Sequence, residues 1–219
     1  MNILHIDSSA LSAETSLPLY SDPRGNYSMS RRYTKKVVEL LKAKNSDATV
    51  VYHDLEVNPI PYLSHVATTG LFMPANMHSP EQAKALELST KLANEILEAN
   101  AIVIGVPTHN FMVPAVLKSW VDHSVRFGIT VGDNNGIPVG LANPKTKVIA
   151  CVASGGDYSQ GPLKGFSLVE DFIERFFGNI GITDISFVNL QGLANGQDAV
   201  KDAMEAADRK ISEIVNNIK

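Results

Sequence analysis

Residues 101–111 read AIVIGVPTHNF, and they decide the fold. Ile102, Val103, Ile104 and Val106 form an apolar, β-branched run interrupted only by Gly105. A run of this kind is a strand buried on both faces, in the middle of a parallel sheet. Pro107 ends the hydrogen-bonding ladder, and Thr108, His109 and Asn110 turn the chain polar before Phe111. In an open α/β sheet, ligands sit beyond the carboxyl ends of the strands. The turn at 107–111 therefore reads as a wall for a planar ligand with polar edges, or as an ordinary strand-to-helix loop.

The flanking sequence repeats the same alternation. Upstream, Ile3, Leu4 and Ile6 mark a short first strand that runs into Ser8 and Ser9. Ser28 or Ser30 can cap a helix that turns Tyr33, Val37, Leu40 and Leu41 to one side. A second strand is expected at 49–53. Ser79 and Pro80 open a helix to about residue 100, burying Leu86, Ala93, Ile96 and Leu97. Downstream, a helix at 113–125 precedes a fourth strand at 147–153, and a helix at 164–177 precedes a fifth at 184–189. A last helix buries Val200, Ala203, Ala207, Ile211, Ile214 and Ile218. Such alternation predicts parallel βαβ units with right-handed crossovers. The expected architecture is a doubly wound α/β domain of three layers with flavodoxin-like strand order 2-1-3-4-5. That order brings the ends of the first and third strands together at the switch point.

Composition narrows the function classes. Of the 219 residues, 44% are hydrophobic and 19% charged, which is ordinary for a globular chain able to bury a sizeable core. A net charge of −4 supplies no basic face for nucleic acid. Arg31, Arg32, Lys35 and Lys36 read as the solvated face of a helix. No apolar run approaches the ~20 residues of a membrane span, and MNILHIDSS lacks the layout of a signal peptide. The single cysteine, Cys151, lies in an apolar run and reads as a buried structural thiol. The expectation is a cytoplasmic protein without nucleic-acid or membrane partners. It is one domain over 1–219, with irregular excursions near 10–27, 54–80 and 128–145.

Three turns on the predicted switch-point edge carry the candidate chemistry. Ser9, with Ser28, Met29 and Ser30 at a helix start, offers hydroxyls and unpaired amides that suit a phosphate without any lysine. Simple helix capping by serine explains the same residues. Pro107, Thr108, His109, Asn110 and Phe111 can border a flavin ring, with backbone groups and Asn110 meeting its pyrimidine edge. Phe111 can equally be core beneath the loop. His109 is an acid or base by type, and a loop histidine is also commonly just solvated. Ala153, Ser154, Gly155 and Gly156 allow close backbone approach to a ligand or a turn with positive φ. Neither GxGxxG nor a Walker-type loop occurs, and hydroxyl-held phosphate suits a mononucleotide such as FMN.

Taken together, SS, YSMS, PTHNF and SGG resemble the FMN-dependent NADH azoreductase/quinone reductase family, in which the matching elements read roughly SS, YSxS, PMYNF or PMWNF, and SRGG. DLEVNPIPYL at 54–63, LKSWVDHSVRFGIT at 117–130 and FFGNIGITDISFV at 176–188 extend the likeness over essentially the whole chain, with an insertion near 11–26. The resemblance implies a homodimer with one FMN per subunit and ping-pong, two-electron reduction of quinones or azo compounds by NADH or NADPH. It implies that Ser9, Ser28, Met29 and Ser30 hold the phosphate. It also implies that 107–111 pass along the ring, that 153–156 meet its other flank, and that the partner's excursions close the site. No metal is implied. The chain departs from the family pattern at Thr108 and His109 (a Met and an aromatic residue), Ala153 and Ser154 (a Ser and an Arg), Asn179 (a Phe in some relatives) and Asp133 (near an active-site Tyr).

His109 is the candidate proton donor to the acceptor, the one catalytic role given to a side chain. Two competing readings keep the cofactor: a flavodoxin-like electron carrier, and an NAD(P)H:FMN reductase with a different acceptor. A phosphorelay receiver shares the strand order, but Pro107-Thr108 stands where its phosphorylatable aspartate belongs.

Overall fold

The computed structural model describes residues 1–11 and 28–218. In chain order the elements are β1 (Asn2–Asp7), α1 (Met29–Lys44), β2 (Thr49–Asp54), α2 (His65–Gly70), α3 (Pro80–Ala85) and α4 (Glu87–Glu98). They continue with β3 (Ala101–Pro107), α5 (Ala115–Ser124), β4 (Val131–Asn134), β5 (Ile137–Gly140), β6 (Lys147–Ala153), α6 (Val169–Asn179), β7 (Asp184–Leu190) and α7 (Gln197–Asn217).

Five parallel strands form one sheet in the order β2-β1-β3-β6-β7. The expected 2-1-3-4-5 becomes 2-1-3-6-7 because a two-stranded hairpin, β4-β5, intervenes. Central β3 is buried from Ala101 to Val106. On one side of the sheet, Leu4, Ile102, Ile104 and Val148 pack against Leu92 and Ile96 of α4, Trp120 of α5 and Phe177 of α6. On the other, Ile3, Val103, Ile149 and Cys151 pack against Tyr33, Val37 and Leu41 of α1 and Ile211 of α7. These are the three layers. Gly105 has a local cause: a Cβ there would lie 2.6 Å from Asp7 Oδ1, so the glycine makes room for a buried carboxylate on the paired strand.

Several expectations are corrected. The excursion expected near 128–145 contains the hairpin, turned by Asn135 (φ 55°) and Gly136 (φ 83°). Asn-Gly with two positive φ angles is the preferred two-residue hairpin turn, and it outweighs the loop-like composition around it. The stretch 54–80 contains α2, capped by the Ser64 side chain, and a 3₁₀ turn at Ala75–Met77, with its prolines outside the α2 helix. The helix expected from 79 breaks at Leu86 (φ −99°, ψ 2°) into α3, started by a full Ser79–Gln82 capping box, and α4. The helix expected from 164 begins at Val169, after a 3₁₀ turn at Gly161–Leu163. The excursion expected at 10–27 lies outside the described residues from 12 onward. Among the described residues, no helix is long and apolar enough to cross a membrane, and no cluster of potential metal ligands occurs.

Candidate functional site

The carboxyl ends of β1, β3 and β6 and the start of α1 meet around a cavity of about 260 Å³. Ser9, Ser28, Met29, Ser30, Pro107, Thr108, His109, Ala153, Ser154 and Gly155 line it, so ten of the thirteen residues singled out in the sequence converge on one space. Asn110, Phe111 and Gly156 are not on its walls. Leu11, Leu193 and Ala194 are, and sequence reading passed over them. The last two follow β7, and their amides donate to Ser154 and Gly155 carbonyls at 3.1 and 3.0 Å. A turn following the fifth strand at the same sheet edge was the available signal.

The start of α1 gathers hydroxyls and first-turn amides. Ser28 caps the helix, its Oγ accepting from the Arg31 amide at 3.2 Å and lying 3.1 Å from Ser30 Oγ. Met29 and Ser30 begin the helix, so their amides have no acceptor within it. No acidic side chain occupies the first turn, so none of the helix's own carboxylates neutralises the positive end of its dipole. Ser8 is turned away: its Oγ donates to the Gly105 carbonyl at 2.6 Å.

The 107–111 turn is conformationally costly. Asn110 and Phe111 both have positive φ, 48° and 72°. Asn tolerates that region, but Phe does not do so readily. The turn is held by reciprocal bonds between His109 and Met112 backbones (2.8 and 3.0 Å) and by the Leu168 amide donating to the Phe111 carbonyl at 2.8 Å. Phe111 is not core: it is 44% exposed and meets Tyr158 and Phe166 edge-on, with centroids 6.0 Å away in each case. His109 is exposed at the cavity mouth. On the opposite wall, Ser154 Oγ donates to the Gly156 carbonyl at 2.8 Å. Thr108 Oγ1 is buried and, among the described residues, finds no hydrogen-bond partner. Asp133 and Asn179 are exposed and outside the cavity; the Asp133 carboxylate accepts from the Gly136 amide within the hairpin turn.

Behind the Ser9 wall lies a charged layer, and here the solvated-face reading of Arg31 is corrected. Its side chain is buried and forms a two-pronged ion pair with Asp54 at 2.6 and 2.7 Å. Burial alone would lower the guanidinium pKa, but the hydrogen bond to Asp54 and the charges of Asp7 and Asp54 leave it raised. That same hydrogen bond holds Asp54 below the usual carboxylate range. Helical periodicity could not reveal this, because Asp54 is supplied by the neighbouring strand. Burial pushes the Cys151 thiol upward, which fits the inert structural cysteine expected.

A family model described as "Flavodoxin-like fold" matches residues 1–215. An FMN-dependent NADH:quinone oxidoreductase of Herminiimonas arsenicoxydans is 36% identical over 199 residues, covering 91% of this chain and 97% of the relative. Another of the same description, from Aromatoleum aromaticum, is 38% identical over 211 residues, covering 96% and 98%. The solved structure of an azoreductase from Bacillus anthracis superposes with a TM-score of 0.81 at 25% identity, covering 99% of each chain. With the sheet order, the convergent strand-end turns and this full-length likeness, the chain belongs to the flavodoxin-like family and, within it, to the FMN-dependent NADH:quinone oxidoreductases and azoreductases.

Proposed function

We propose that this protein is an FMN-dependent NAD(P)H oxidoreductase that reduces quinones and azo compounds by two electrons in a ping-pong cycle. The observation that carries the reading is the convergence of Ser9, Ser28, Ser30 and Thr108 and the start of α1 on one cavity at the β1/β3 switch point. The buried, unpartnered Thr108 hydroxyl supports a polar ligand there, because a hydroxyl left unpaired in a protein interior is costly.

In this proposal Ser9, Ser28, Met29 and Ser30 hold the phosphate through hydroxyls and first-turn amides. Pro107, Thr108 and His109 border the ring on one flank, and Ala153, Ser154 and Gly155 on the other, while Asn110, Phe111 and Gly156 complete the same turns off the cavity's walls. FMN supplies the hydride chemistry when bound, with NADH or NADPH as donor. The chain's own contribution is orientation, exclusion of water and placement of a proton. Small residues on the β6 side (Ala153, Gly155, Ala194) leave room for a flat group. The strained 110–111 turn is held by its backbone bonds and needs no rearrangement at the moment of reaction. To His109, exposed on the cavity's lining, we assign the proton given to the acceptor. If His109→Ala leaves turnover and its pH profile unchanged for every acceptor, that assignment is wrong.

Tyr62, Phe72, Met77, Ile137 and Leu141 are exposed on the 54–80 and 128–145 excursions. Their exposure supports a homodimer, to which we assign one FMN per subunit, a single domain over 1–219 and a place in the cytoplasm. The deciding experiment is the visible spectrum of the purified protein before and after NADH. A yellow protein that bleaches with NADH or NADPH and recovers its colour with a quinone is expected. A protein that takes up no added FMN would overturn the reading, and a yellow one inert to both donors would identify an electron carrier instead.

A further inference from the structure

We propose that Arg31 is a positioning residue for the phosphate end of the cavity, an inference that rests on the FMN reading above. Its guanidinium has five N–H donors, and all five are committed inside the protein. Nε and Nη2 donate to the Ser9 carbonyl at 3.1 and 2.6 Å. Nη2 and Nη1 donate to the two Asp54 oxygens at 2.7 and 2.6 Å, and Nη1 also reaches Tyr52 Oη at 3.3 Å. A guanidinium saturated in this way has no donor left for a ligand, and it is absent from the walls of the 260 Å³ cavity. It lies behind them, on the larger crevice of about 560 Å³ between the ends of β1 and β2.

Its effect on the cavity runs through two serines. The side chain fixes the Ser9 carbonyl, and so the peptide that leaves β1. The backbone amide of the same residue donates to Ser28 Oγ at 3.2 Å. Arg31 thus sets the separation of the two serine elements assigned to the phosphate. Asp54 anchors the guanidinium from β2 and is itself fixed, its Oδ1 accepting from the Glu56 and Val57 amides at 3.1 and 3.3 Å. The Tyr52 hydroxyl continues the network by donating to Asp7 Oδ2 at 3.1 Å. A planar fork bridges a carbonyl and a carboxylate in one fixed geometry, whereas an ammonium on a flexible stem offers fewer donors and sets their relative positions less rigidly. Because Asp54 neutralises the charge, Arg31 acts by geometry and not as a counter-ion.

The geometry makes a prediction that general destabilisation does not share. The affected end of the cavity meets the phosphate alone, so the ratio of FMN to riboflavin affinity reports on it. In fluorescence titrations of flavin-free protein, Arg31→Met is expected to lower that ratio at least about fivefold, with Arg31→Lys intermediate. Asp54→Asn separates geometry from charge. It uncovers the cation, so a charge role would tighten FMN, whereas the positioning role predicts that FMN weakens relative to riboflavin. Should Arg31→Met fail to fold, Arg31→Lys and Asp54→Asn carry the test. The proposal is overturned if the ratio stays unchanged in the folded variants or if Asp54→Asn tightens FMN. Unaltered protein that binds neither flavin would refute the FMN reading itself, and this inference with it.

Discussion

Thr108→Val separates what the cavity costs the protein from what it provides to a ligand. Thr108 Oγ1 is buried at the end of β3 without a partner, and its amide is already engaged with the Ala153 carbonyl at 2.8 Å. Valine keeps the branched shape and removes only the hydroxyl. An unpaired buried hydroxyl costs about 1–3 kcal/mol, so the flavin-free variant should be at least as stable as the parent. A domain of this size gains about 2–4 °C in Tm for each kcal/mol. A bound ligand that pairs with this hydroxyl recovers about 0.5–1.5 kcal/mol, which valine forfeits, so the Kd for FMN should rise about 2- to 12-fold. The two effects therefore have opposite signs. Thermal melts of stripped protein and fluorescence titration with FMN measure them, and Thr108→Ser, which keeps the hydroxyl, should leave affinity within about twofold. A variant less stable without flavin, yet unaltered in FMN affinity, would refute the reasoning.

Two further outcomes follow from geometry outside the cavity. His123 is buried, with Nε2–H donating to the Pro61 carbonyl at 3.0 Å and Nδ1 lying 2.7 Å from Ser89 Oγ; burial holds its pKa below the usual value. Its stabilising effect is present above about pH 6.5 and is lost as pH falls toward the lowered folded value, at no more than about 1.4 kcal/mol per pH unit. Melts between pH 7 and 5 should show that slope flattened in His123→Gln. Gly140 packs directly on the α6 terminus: a Cβ would lie 2.1 Å from the Gly181 nitrogen and 2.2 Å from the Ile180 carbonyl carbon. Backbone cannot yield as a side chain can, so Gly140→Ala should cost about 3 kcal/mol or more. Gly132→Ala in the same hairpin, facing a movable Leu141 side chain at 3.2 Å, should cost under about 1 kcal/mol. Equal losses in the two melts would contradict the packing argument.

Much of this protein is determined by local sequence. The apolar run of β3 requires burial on both faces, which implies a sheet with helices above and below. Ser28 and Ser79 start helices because a side-chain oxygen accepts an otherwise orphaned amide. The turns after β1, β3 and β6 announce a ligand edge because parallel strands place their carboxyl ends together. Asn135-Gly136 also carried a legible hairpin signal, obscured by the loop-like composition around it.

The tertiary structure decided what depends on a neighbour brought from elsewhere in the chain. Arg31 has the helical spacing of a surface cation, and only the arrival of Asp54 from β2 and the Ser9 carbonyl from β1 makes its burial tolerable. Gly105 looked like an interruption until Asp7 on the paired strand filled the space it leaves. Leu193 and Ala194 entered the cavity through backbone bonds to Ser154 and Gly155. Phe111, legible as core or as wall, is neither: it stands off the cavity's walls, exposed beside Tyr158 and Phe166 in a turn of positive φ. Periodicity and capping act over a few residues and can be read directly from sequence. Pairing of buried charges and close packing act between segments far apart in the chain, and only the folded arrangement supplies both partners.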